Sequence, residues 1–189
     1  LALQSALGMG VLGLFIFFVG VSFGFSTIFF VACFLLLSIF LRKDLFAWWC
    51  AWRALVPLWQ KSTVFEKVLG WGVLFILFVT LGKSLAPPLA FDSLVYHLTL
   101  PKIYLLEGRI NYLPELIFWG MPQQQEMGQA FAMVLGGTEA AIIFSWALGS
   151  LTLIGLLGYL SEKFSTQVAW VALVSLLAGQ TISDTLSWG

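Results

Sequence analysis

The sequence predicts an all-α, polytopic membrane protein with about five spans and several interfacial helices. Three observations predict it. Hydrophobic residues make up 60% of the 189 and charged residues only 10%, with a mean hydropathy of +0.99; soluble domains carry roughly 45–50% and 25%. So little polar surface cannot cover a soluble core. Apolar runs of about 20 residues recur, the length that crosses a hydrocarbon core. Tryptophan and basic residues gather between those runs, at the depth of lipid headgroups. The formal net charge of +0 gives no basic surface for nucleic acid.

Taken in order, residues 6–41 are apolar throughout, too long for one crossing, with Gly20, Ser22, Gly24 and Ser26 at the centre. They read as a tight hairpin over about 5–22 and 26–41; one long tilted helix is the alternative. The first run has no basic leader and continues into the second, so it reads as a span, not a cleaved signal. Residues 42–66 carry Arg42, Lys43, Asp44, Arg53, Lys61 and Glu66 among Trp48, Trp49, Trp52 and Trp59. That mixture predicts an interfacial helix. Residues 67–86 form the next span, ended by Pro87 and Pro88, with Lys83 snorkelling near its far end. Residues 126–136 are apolar but too short to cross, and Gly136 and Gly137 end them; they read as a re-entrant or interfacial helix. Spans are predicted again over 139–160 and about 166–180, joined by the turn at Ser161–Phe164.

Two parts result: residues 1–66, a hairpin with its interfacial segment, and residues 67–189, a span, an acidic loop over 87–138 and two further spans. Segment 42–67 holds five Lys/Arg residues and segment 83–125 holds three. The bias puts the first on the cytoplasmic side and the 87–138 loop outside. Cys33 and Cys50 lack metal-ligand spacing and read as packed thiols.

The loop carries most of the polar chemistry. In "FDSLVYHLTLPK" (91–102), Asp92 reads as the N-cap of a helix starting at Ser93. A capping carboxylate keeps free lone pairs, so the same residue can serve as a general base. Tyr96 lies one helical turn on and shares its face. His97, the sole histidine, is either a satisfied interfacial group or a site residue. Pro101 kinks this helix or opens a second, and Gly108 is a suitable stop. Lys102 and Arg109 bind headgroup phosphates or the phosphate of a lipid-linked substrate. Gly120 and Pro122 break the chain before Gln123, Gln124, Gln125 and Glu126 open an apolar helix. Glu126 complements that helix dipole, or with Gln125 it lines a site and bonds sugar hydroxyls. Glu139 is a first-turn acid of the next span. Asp184 follows the last span as a possible second carboxylate. One histidine with scattered acids has no metal-ligand spacing.

From "APP" through "FDSLVYHLTLPKIYLLEGRI", "MPQQQEMGQAFAMVLGG" and "TEAAIIFSWALGSLTLIGLLGYLSEKF", the order of features resembles the GT-C membrane glycosyltransferases. The similarity is to the branch of protein mannosyltransferases and lipid A aminoarabinose transferases, and it covers about residues 67–181. The resemblance implies an enzyme of the bacterial or archaeal plasma membrane. It implies transfer of a sugar, with inversion, from a polyprenyl-phosphate donor to an acceptor lipid, glycan or protein. In that family an aspartate placed like Asp92 is the general base. The resemblance then casts Lys102 and His97 as phosphate contacts, with Tyr96 and Glu126 lining the site. Many members have two adjacent acids here, whereas Asp92 follows Ala90 and Phe91. A divalent cation is therefore left open, with no cofactor assigned. The family has more spans, so the resemblance also implies that this chain is an N-terminal portion. A polytopic transporter or flippase is the alternative, and a transporter would hold its ionisable groups near mid-bilayer on broken helices.

Overall fold

The computed structural model describes residues 2–53, 59–121 and 123–188. All regular structure among them is helical. In order come α1 (Ala2–Ser22), α2 (Thr27–Phe40), α3 (Arg42–Arg53) and α4 (Val64–Ser84). A π-helical turn (Ser93–His97), α5 (Thr99–Glu107), α6 (Gln124–Lys163), α7 (Thr166–Ala178) and α8 (Gln180–Trp188) follow. Three of these, α1, α4 and α6, are long and apolar enough to cross a membrane. At most 22% of the most apolar stretch of each is buried. The rest presents apolar side chains outward, far more than a soluble monomer leaves exposed. The segments expected to span at 26–41 and 166–180 form helices of 14 and 13 residues. Each is about 20 Å long, short of a hydrocarbon core of about 30 Å.

The expected hairpin forms. Ser26 caps α2, its hydroxyl accepting the Phe29 N–H at 3.4 Å. Gly24 makes the turn at φ +85°, where a Cβ would lie 2.5 Å from the Gly108 carbonyl oxygen. That carbonyl accepts the Phe25 N–H at 2.5 Å, and the Ile110 N–H donates to Gly20 O at 3.0 Å. The α1–α2 turn and the polar loop are thereby tied together at one end of the molecule.

The segment 42–66 is not one interfacial helix. Helix is described over Arg42–Arg53 and at residues 59–61, but the segment breaks at Ser62, and a capping box at Thr63 starts α4 three residues earlier than expected. Thr63 N–H donates to Glu66 Oε2 at 2.7 Å, and Glu66 N–H donates to Thr63 Oγ1 at 3.3 Å. Glu66 is thus a buried cap, not a headgroup-facing charge. Trp59 packs edge-on against Trp71 and Trp170, with centroids 6.0 and 6.2 Å apart, so it belongs to the bundle. Cys50 is exposed, contrary to the packed thiol expected, and Cys33 is half-buried. The side chain of Trp52 and residues 54–58 lie outside the described residues.

α6 is two limbs, 124–135 and 138–163, joined at Gly136 and Gly137. Gly137 has φ +76°, and the backbone of both glycines is non-helical. The first limb folds back on the second: Gln129 Nε2 donates to Ser145 Oγ at 3.0 Å, and Gly128 lets the Phe144 ring lie against the backbone. This is the short glycine-ended helix expected at 126–136. It packs on α1, where Gln124 Nε2 donates to Gly10 O at 2.8 Å. Ile16, Val19, Phe30, Leu100, Tyr104 and Met127 join hairpin, loop and limb in one core. A second core, centred on Val73, Leu153, Leu173 and Leu177, joins α4, the second limb and α7. Lys83 is paired with Asp184 at 3.1 Å, so α4 is clamped to α8 where a snorkelling lysine was expected.

A substitution at Gly24 should therefore separate hairpin from loop. Gly24→Ala is expected to destabilise by at least about 1–2 kcal/mol through the left-handed backbone alone, more with the clash. Gly72→Ala, which meets nothing within 4 Å, should be neutral or slightly stabilising. Thermal unfolding in detergent compares them, and equal midpoints would refute the close contact.

Candidate functional site

Asp92 is not the N-cap expected of it. It already has helical geometry (φ −61°, ψ −41°), and its side chain makes no capping bond. Its carboxylate is exposed in the first turn of a helix that starts near Phe91, a position favourable for an acid.

The helix then widens. Leu98 N–H donates to Ser93 O at 3.0 Å, and Thr99 Oγ1 donates to Leu94 O at 2.5 Å, both five residues back. Pro101 contributes to this change. It has no N–H for the His97 carbonyl, and its ring would crowd that carbonyl in a continuous α-helix. It sits instead in the first turn of α5, where N–H groups lack partners anyway. The π turn shifts His97 out of α-helical register, and its ring lies beside that of Tyr96. Gly108 stops α5 at φ +72°, as expected.

His97 meets the first limb of α6. Its Nδ1 lies 2.7 Å from Glu126 Oε1, across 29 residues of sequence. The Glu126 residue is only 4% exposed, and the His97 side chain is 27% exposed. The Tyr96 ring lies 4.0 Å from the His97 ring at 44°, and Phe118 packs on Tyr96 at 4.9 Å. Burial raises the Tyr96 phenol pKa, and the nearby charges of Asp92 and Glu126 raise it further. The phenol is therefore a neutral donor at physiological pH.

Behind this cluster, Tyr104 is fully buried and donates to Gln123 Oε1 at 2.8 Å, while Gln123 Nε2 donates to Trp119 O at 2.5 Å. These bonds anchor the loop to the start of α6. Gln125 is exposed, its amide 3.4 Å from Ser145 Oγ. Gln129 is fully buried, and its Oε1 has no partner. Lys102 and Arg109 are exposed and not hydrogen-bonded into the cluster. Glu139 is exposed at the start of the second limb, and Asp184 is drawn to Lys83. Pro122 lies outside the described residues. Among the described residues no group of three or more His, Cys, Asp or Glu could hold a metal ion.

Of the residues singled out in the sequence, the fold thus gathers Asp92, Tyr96, His97 and Glu126. The pairing of His97 with Glu126 and the buried Tyr104–Gln123 and Gln129–Ser145 bonds have no local signature. The one available signal is an acid opening a helix apolar enough to bury its first turn. No protein-family model, curated protein or solved structure matches this chain.

Since Asp92 adds to the rise in the Tyr96 pKa, Asp92→Asn should lower the midpoint of the Tyr96 phenol titration. Burial should keep it above that of free tyrosine. Tyrosine-labelled NMR, assigned with Tyr96→Phe, reads the shift. An unmoved midpoint would place Asp92 away from the ring.

Proposed function

We propose that this chain belongs to a membrane-embedded inverting glycosyltransferase. It takes a sugar from a polyprenyl-phosphate donor and passes it to an acceptor lipid, glycan or protein at the extracytoplasmic face of a bacterial or archaeal plasma membrane. The observation that supports this best is the cluster of Asp92, Tyr96, His97 and Glu126 on a loop held at the end of apolar helices. There the donor's lipid tail stays in the bilayer while its sugar phosphate meets water.

In this reading Asp92 takes the proton of the acceptor hydroxyl or amine. The freed oxygen or nitrogen bonds to C1 of the sugar. The C1–O bond to the phosphate breaks from the opposite face, and the polyprenyl phosphate leaves with the electron pair. Lys102 and Arg109 are exposed cations of the same loop and stabilise that charge. α2 and α7, the two shorter apolar helices, complete about five spans, and the Lys/Arg bias of the 42–67 segment puts the 87–138 loop outside.

One observation favours the rival transporter reading: Glu126 and Gln129 are buried on a broken helix. Against it, the ionisable residues of α4 and of the second limb of α6 lie near the helix ends: Glu66, Lys67, Lys83, Glu139, Glu162 and Lys163.

Asp92→Asn in the full-length protein should cut transfer from a polyprenyl-phosphate sugar in membranes by about 100-fold or more. Unchanged turnover at normal expression would refute the assignment. Substrate flux across proteoliposomes without transfer would favour the transporter.

A further inference from the structure

We infer that Glu126 is a positioning residue that holds His97 in its Nδ1–H tautomer, so that Nε2 accepts a hydrogen bond from a hydroxyl of the bound sugar. Nδ1 lies 2.7 Å from Glu126 Oε1, and a carboxylate oxygen there accepts an Nδ1–H. With the ring's single proton on Nδ1, Nε2 carries only a lone pair. The ring cannot readily swing away to exchange its nitrogens. Tyr96 lies against it at 4.0 Å, and Phe118 backs Tyr96. Glu126 is itself buried in the first turn of a limb locked by Gln124 to α1 and by Gln129 to Ser145.

Two consequences follow for specificity, and they rest on the glycosyl-transfer reading. A phosphate oxygen is an acceptor, so neutral His97 in this tautomer offers it nothing. The phosphate falls to Lys102 and Arg109, and His97 reads a group that carries a proton. Glu126, with Oε1 engaged and its residue buried, acts through His97 and does not touch the sugar.

The chain has one histidine, so nitrogen NMR of histidine-labelled protein reads the tautomer directly, with His97→Asn for assignment. The wild type should show a protonated Nδ1 and an unprotonated Nε2 at neutral pH. Glu126→Ala should move the population toward Nε2–H. Glu126→Gln, which keeps size and polarity, should give a mixture and guards against loss of folding in the alanine variant. In the full-length protein, His97→Ala and Glu126→Ala should lower kcat/KM by similar factors, and the double variant should fall no further. A wild-type Nε2–H tautomer or imidazolium overturns the inference. So does a Glu126→Ala loss well beyond that of His97→Ala, which would mean direct substrate contact. A fully active Asp92→Asn would instead remove the glycosyl-transfer reading and leave the tautomer result standing.

Discussion

Much of this structure depends on one backbone constraint, the reversal of α6 at Gly136 and Gly137. A φ of +76° at Gly137 is a conformation that side-chain-bearing residues rarely adopt. It turns what would be a single 40-residue helix into a hairpin. The returning limb carries Glu126 to His97, Gln124 to α1 and Gln129 to Ser145. Straightened, the limb would leave the polar loop without its floor, and its buried polar groups would lose their partners.

The limb also accounts for the distribution of polarity. A buried carboxylate is costly unless paired and hydrogen-bonded, and Glu126 is buried against the imidazole of His97. Buried amides carry the same requirement. Gln123 and Gln129 meet it with Tyr104, Trp119 O and Ser145, apart from the one free oxygen of Gln129. Asp92, by contrast, is exposed, in the first turn of its helix. One end of the molecule thus holds an exposed carboxylate and a buried one, both near Tyr96. Tyr96 responds to both, since their charges add to its burial in disfavouring the phenolate.

Much of the fold was legible in the sequence because membrane helices are written in composition and length. The apolar run 6–41, broken at Gly24 and Ser26, gave the hairpin. Gly108 and the Gly136–Gly137 pair marked real stops, and Pro101 marked a real break. The errors came where a polar residue had a partner that local spacing does not show. Asp92 looked like a cap because it precedes an apolar run, yet the helix begins at Phe91, two residues before the expected start, and Asp92 is already inside it. Glu66 looked like interfacial charge but closes a capping box. Lys83 looked free to snorkel but meets Asp184 across 101 residues. For the site, residue types and region were readable. The π turn that carries His97 has no plain spacing signature, and the contact of His97 with Glu126 arises only when the first limb folds back.

The central claim is that return of the limb, and cross-linking tests it most directly. Cysteines placed at Gln129 and Ser145, in a chain with Cys33 and Cys50 replaced by serine, should be joined rapidly in membranes by a short thiol-to-thiol reagent. In one straight helix these positions, 16 residues apart, would be separated by about 24 Å. Failure to cross-link with both thiols reactive would contradict the folded limb, and with it the site built on Glu126 and His97.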